Sequence, residues 1–175
     1  MEKSGKPRVI VLDTSAILSG QLEANPAHKY LTCQGVVDEV RFGNLAPERL
    51  EAAIMQGLLI VERPEQWALE KTIEAATMTG DITSLSETDL ELIAIALQYS
   101  VANYDVSLVS DDYGVQNTAM QLGIRVSGRV HPGIRRVVKW ILSCPACSST
   151  FRENLKTCPY CGGELRRKPV KNLST

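Results

Sequence analysis

The chain has 175 residues, 44% of them hydrophobic, 22% charged and 5% aromatic, which suits one ordinary domain with an aliphatic core and room for something small beside it. No apolar run approaches the roughly 20 residues that span a bilayer, and Val9–Leu12 is too short for a signal core, so membrane, secreted and disordered readings are poor and a cytoplasmic one is expected. The net charge of −1 hides an asymmetry: residues 1–124 carry 8 Lys/Arg and 18 Asp/Glu, residues 125–175 carry 11 and 2, a contrast that fits either nucleic-acid binding or a solvated basic face.

The first strand is expected at Arg8–Leu12, an unbroken apolar run of the kind buried on both faces of a sheet. Asp13, Thr14 and Ser15 follow as helix caps, with Ala16–Leu18 opening a turn of helix. Residues 22–30 read as a loop. Gln34–Arg41 places Val36, Val37 and Val40 at helical spacing. Pro47–Gln56 is a short helix with Pro in its first turn and Gly57 as its stop. Leu58–Val61 is a second strand. Glu65–Thr77 is helical, Met78–Ser84 a loop, and Ser86–Gln98 a helix opened by a Ser86/Asp89 capping box. Val106–Val109 is a third strand, Val115–Leu122 a helix opened by Asp111 and Asp112, and Ile124–Val126 a fourth strand. Strands alternating with helices predict a parallel sheet with helices on its faces. The expected division is a body over 1–128, a linker and lead-in strand over 129–143, a cysteine module over 144–165, and a mobile basic tail over 166–175.

Cys144-Pro-Ala-Cys147 and Cys158-Pro-Tyr-Cys161 are two C-x-x-C turns with ten residues between them. Two such turns complete a closed tetrahedron around one structural zinc ion, with no open position for catalysis. A redox pair needs no second copy, and disulfides do not suit the cytosol. The module is expected to fold around its metal and to offer Arg152, Lys156, Arg166, Arg167 and Lys168 to a partner. Cys33 reads as a small buried residue.

Five acidic residues stand at informative places: Asp13 after the first strand, Glu39 in the second helix, Asp89 in the first turn of the capped helix, Asp111 and Asp112 after the third strand. Singly, each has a bland explanation as a cap or a solvated helix residue. Jointly they gather beyond the carboxyl ends of a parallel sheet, where ligands bind. Carboxylates brought together repel unless a hard cation stands among them, and Mg²⁺ or Mn²⁺ suits an all-oxygen site. One such ion, or a pair, activates water and offsets charge on a phosphodiester. His28 and His131 lie near prolines in loop-like stretches, and neither is placed to act as a general base.

V-L-D-T-S at 11–15, Glu39, T-D at 88–89 and S-D-D-Y at 110–113 resemble a PIN-domain nuclease. With T-G-D at 79–81, S-L-S-E-T-D-L at 84–90, V-S-D-D-Y-G-V-Q-N at 109–117 and the four-cysteine ribbon, the chain is similar from about residue 8 to about 165 to one PIN family, the Nin-one-binding (NOB) endonucleases, in their compact archaeal form. The resemblance implies a PIN-like α/β fold with a C-terminal zinc ribbon. It implies metal-dependent endoribonuclease activity maturing the 3′ end of small-subunit (16S) rRNA, and precursor rRNA in the pre-ribosomal small subunit as partner. Asp13, Glu39 and Asp89 would then hold the catalytic Mn²⁺ or Mg²⁺. The fourth carboxylate is Asp112 by the general pattern, with Asp111 sharing or replacing it. Ser15 and Ser110 would help near the metal, and Asn117 would order the loop. Cys144, Cys147, Cys158 and Cys161 match the zinc ligands, and the ribbon with its basic residues would hold RNA through phosphates. The competing readings are another PIN ribonuclease of the toxin kind, which usually lacks a ribbon, and a non-catalytic zinc-ribbon RNA-binding assembly factor.

Overall fold

The central strands form where the apolar runs stand, and the helices that begin after Asp13, Ser86 and Asp112 start at side-chain caps. The computed structural model describes residues 7–19, 25, 27–42, 47–128, 133–152 and 155–170. The elements run β1 (Arg8–Leu12), α1 (Thr14–Leu18), β2 (His28–Cys33), α2 (Gln34–Phe42), α3 (Pro47–Met55), β3 (Leu59–Glu62), α4 (Gln66–Thr79), α5 (Glu87–Val101), β4 (Asp105–Val109), α6 (Tyr113–Gln121) and β5 (Arg125–Ser127). A second group follows: β6 (Trp140–Ser143), β7 (Thr150–Phe151) and β8 (Arg166–Pro169).

The first five strands make one parallel sheet in the order β3-β2-β1-β4-β5. The first three strands build outward from β1, and the chain then returns to lay β4 on its other side. The order therefore reverses between β1 and β4. That reversal is the place where open parallel sheets bind ligands, beyond the carboxyl ends of the strands.

Val9, Val11 and Leu12 of β1 are fully buried, as a central strand covered on both faces requires. Helix α5 supplies an unbroken run of six buried apolar residues, Leu92 to Leu97, and it packs on β1, β2 and β4 and against α4 and α6. At about 25 cal/mol per Å², such burial dominates the stability of the body.

Several elements differ from their expected form. The strand β2 occupies His28–Cys33, partly within the stretch expected as a loop, so the sheet has five strands instead of four. His28 begins that strand opposite Arg8, at the end of the sheet away from Asp13. Residues 129–132 of the expected linker, including His131, and 171–175 of the expected tail lie outside the described residues, as does most of the loop before residue 28.

The basic residues 166–169, expected in a mobile tail, form β8 and pair antiparallel with β6. The small sheet runs β7-β6-β8, so it takes in residues on both sides of the expected 144–165 module. The physical reason is that β6 needs a second partner. Leu142 stands opposite Arg167 and Ile141 opposite Lys168, which places Arg167 on one face of the strand and Arg166 and Lys168 on the other.

The two sheets meet through α4 and α6. Gly80 caps α4 with φ 77°, a left-handed conformation that favours glycine. A Cβ there would also lie 2.6 Å from the Trp140 carbonyl. Asp81, buried, receives Arg167 at 2.7 Å and Asn117 Nδ2 at 2.6 Å. Asn117 also closes two bonds of 2.7 Å with the backbone of Val138. Arg167 further reaches the Gly80 carbonyl and Ser84 Oγ, and its guanidinium lies 4.9 Å over the Trp140 ring.

Candidate active site and metal cluster

The end of β1 places Asp13 as the N-cap of α1, where its Oδ1 accepts the Ser15 amide at 3.4 Å. Beside it, the end of β4 carries Ser110, whose hydroxyl donates to Asp13 Oδ2 at 2.6 Å. The same hydroxyl accepts the Asp112 amide at 3.1 Å. One buried serine thus ties the two strand ends across 97 residues of sequence. Asp112 caps α6, its Oδ1 accepting Gly114 and Val115 amides at 2.6 and 3.0 Å.

Asp89 sits in a complete capping box. Its Oδ2 accepts the Ser86 amide at 2.8 Å, and its own amide donates to Ser86 Oγ at 3.1 Å. From α2, Glu39 accepts the Thr14 hydroxyl at 2.5 Å, which ties it to the residue after Asp13. Gly35 lets α2 come this close to α5: a Cβ there would fall 2.3 Å from Thr88 Oγ1, the residue before Asp89.

Burial pushes the Asp13 carboxyl above its ordinary value, and the negative charge of Asp89 adds to the rise; hydrogen bonds from Ser110 and the Ser15 amide oppose it. That coupling places the two carboxylates within electrostatic reach of each other. Asp13, Glu39, Asp89 and Asp112 are thus assembled around the β1–β4 reversal, with Asp111 half-buried between Ser110 and Asp112. Thr14 belongs to the set, though the motif V-L-D-T-S gave it no role of its own. Ser15 Oγ is buried beside the Asp13 cap with no hydrogen-bond partner.

The donor set is all oxygen, which suits a hard divalent cation. Among the described residues, the only group of three or more His, Cys, Asp or Glu side chains with ligand atoms within 4.8 Å of one another is the cysteine cluster.

The four cysteines do converge. Cys144 and Cys161 sulfurs lie 3.4 Å apart, those of Cys147 and Cys158 3.5 Å apart. Sulfurs at about 2.3 Å from a central tetrahedral ion would be separated by roughly 3.8 Å, so the cluster has the size to hold one. Each knuckle is closed by backbone bonds, Ser148 to Cys144 and Gly162 to Cys158. Ser149 bonds to Cys147 bring its thiol down to about 6. Cys161 is pushed up to about 12, because hydrogen bonds with Cys144 and Cys147 outweigh the Gly163 amide. Thiols crowded in this way need a cation before all four can ionise. Cys33 is buried and shifted to about 11 chiefly by burial, an inert core thiol.

The basic residues divide. Arg152, Lys156, Arg166 and Lys168 are exposed, and Arg167 keeps a third of its side chain open. Arg167, expected to face RNA, instead binds Asp81, Gly80 and Ser84; the buried Asp81 carboxylate demands a cation and takes it.

A parallel sheet with acidic residues gathered at its reversal and a body matching the family "PIN domain of ribonuclease" over residues 10–99 defines a PIN-domain ribonuclease. The chain is 34% identical to the endoribonuclease Nob1 of Pyrococcus abyssi, over 94% of this chain and 96% of that one. It is 41% identical to the Nob1 of Archaeoglobus fulgidus, over 64% and 66%, and 33% identical to the ribonuclease VapC1 of Thermoplasma acidophilum, over 95% and 81%. The chain belongs to the Nob1 family of PIN-domain endoribonucleases. No helix among the described residues is long and apolar enough to cross a membrane.

Proposed function

We propose that this chain matures the 3′ end of small-subunit (16S) rRNA, cutting precursor rRNA within the pre-ribosomal small subunit by metal-dependent phosphodiester hydrolysis. The observation that carries this reading is the joining of Asp13 to Ser110 and Asp112 at the sheet reversal, in a member of the Nob1 family. Asp13, Glu39, Asp89 and Asp112, with Asp111 in reserve, would hold Mn²⁺ or Mg²⁺. Such an ion supplies an activated water and offsets charge on the phosphate.

The residues of this chain divide the work. Ser110 orients Asp13, Thr14 orients Glu39, and the Ser86 box orients Asp89. Cys144, Cys147, Cys158 and Cys161 would hold one structural zinc ion. Arg152, Lys156, Arg166 and Lys168 would contact phosphates, positioning RNA without reading its sequence.

The test is cleavage of an RNA spanning the 3′ end of the small-subunit rRNA, with Mn²⁺, Mg²⁺ or EDTA. A metal-dependent cut at the mature end, abolished in Asp13→Asn while RNA binding persists, is the expected result. Full activity in that variant would remove Asp13 from the site. Cutting at scattered positions would favour a ribonuclease without ribosomal specificity, the reading that the likeness to the Thermoplasma protein supports.

A further inference from the structure

The motif S-D-D-Y ends on a residue that neither the metal chemistry nor the fold uses. Tyr113 is the first residue of α6, directly after Asp112, and 64% exposed. Beside it lies a cavity of about 90 Å³ between α6 and the small sheet, walled by Tyr113, Gly114, Ile134, Val138, Trp140 and Arg167. We propose that Tyr113 and this cavity form a subsite for one unpaired nucleobase of the RNA substrate, alongside the acidic centre. The inference rests on the ribonuclease reading above.

Three observations point to a base as the occupant. First, the lining includes two aromatic side chains, Tyr113 and Trp140, and the Arg167 guanidinium, which lies 4.9 Å over the Trp140 ring. Aromatic rings and guanidinium planes are the surfaces on which unstacked RNA bases settle. Second, the polar groups at the floor are engaged. Both Asp81 oxygens are bound, by Arg167 and Asn117, and the Asn117 amide is spent on Asp81 and Val138. The subsite therefore offers stacking, which every base can accept, in preference to edge recognition. Third, the volume suits one ring system, and two of its lining residues, Tyr113 and Gly114, directly follow Asp112 in the chain, so a strand with its backbone at the carboxylates would bring a base within reach.

The position has a consequence for chemistry. Tyr113 and Asp112 are adjacent on the helix that Asp112 caps. A base held by Tyr113 is therefore held in a fixed relation to the acidic centre, which positions the neighbouring backbone. Tyr113 is a positioning residue, and unpaired substrate is preferred because a paired base cannot enter.

The test uses the full chain and the RNA spanning the 3′ end of small-subunit rRNA, with Mn²⁺. Each nucleotide near the cut is replaced in turn by an abasic ribose. Tyr113→Ala is expected to raise KM roughly 10-fold to 100-fold with kcat little changed, the pattern of a lost stacking contact. Tyr113→Phe, which keeps the ring, is expected to match wild type. One abasic position should weaken wild type by the same factor and add no loss to Tyr113→Ala. Titration calorimetry should find Mn²⁺ affinity unchanged in Tyr113→Ala. A KM within twofold of wild type overturns the subsite, as does additivity at every abasic position. Weakened Mn²⁺ binding also overturns it, because Tyr113 would then act through Asp112. A wild-type chain that leaves this RNA uncut with either Mn²⁺ or Mg²⁺ refutes the ribonuclease reading itself, which separates the two failures.

Discussion

Asp13 accepts hydrogen bonds while standing largely out of water, and its carboxyl is raised for the second reason. The sign of the effect follows by linkage. Below its ordinary value of 3.8, both folded and unfolded states hold the proton and Asp13 makes no difference. As pH rises from there through the raised native value, the folded state holds the proton longer and stability falls. Asp13→Asn removes that loss and keeps a capping side chain. At pH 7 without added Mn²⁺ or Mg²⁺, urea unfolding should find the variant more stable than wild type, with the gap closing toward pH 3. Added Mn²⁺ should narrow it, because only the wild type gains from binding. A variant no more stable at pH 7 would show that burial of this charge is not costly. At this scale the site was largely legible in the sequence, because caps and carboxylates are the same residues. Asp13 and Asp112 are N-caps, and Asp89 closes the capping box of α5 from its first turn. The cap explanation therefore does not compete with the proposed functional one, because capping is what would aim these carboxylates at a shared ion. The partners that pin them were less legible. Thr14 and Glu39 are 25 positions apart, and no spacing rule joins them.

The secondary elements show where pattern reading stops. The apolar run of β1 and the capping box of α5 announce themselves. The strand His28–Cys33 does not, because its first half is polar and its membership comes from pairing with β1 and β3. Arg166–Pro169 looks like a solvated tail and becomes a strand because β6 offers it an edge. The same pairing delivers Arg167 to Asp81, 86 residues earlier. Removing one partner of a buried ion pair leaves the other charged and dry. Breaking a buried pair costs about 3–5 kcal/mol, and Arg167→Ala should lower stability by roughly 3 kcal/mol, because a third of the Arg167 side chain is exposed. Urea unfolding measures it. Salt-dependent RNA binding separates this role from phosphate contact: Arg166→Ala or Lys168→Ala should shift the salt slope by about 1, and Arg167→Ala in the folded protein should shift it less. An equal shift for all three would return Arg167 to the RNA-contacting set.

The whole molecule joins an acidic body to a basic module, and the join is polar and specific. Asn117 and Asp81 hold the lead-in and β8 to the body, while Gln116 links the Ser110 carbonyl to the Ile134 amide. The charge contrast was legible from composition, but the join was not, since it rests on single long-range hydrogen bonds. The cysteine module has little apolar core of its own, so its metal should carry its folding. In a Trp67→Phe background, a strong chelator should change Trp140 fluorescence as Arg167 leaves its ring. Far-UV circular dichroism should retain most of its signal from the five-stranded sheet and its helices. Loss of both signals together would show that body and module unfold as one unit.

The position of β1 also bears on how the chain is born. As synthesis proceeds, β1 can pair with β2 on one side at once, yet its other edge must wait for β4, about a hundred residues later. Until then the nascent protein carries an open parallel edge of the sequence Val-Ile-Val-Leu, the kind of surface that invites pairing with other chains. The strand that closes this edge is also the one that brings Ser110 to Asp13. The nascent chain therefore becomes safe from aggregation and capable of assembling its acidic centre in the same step.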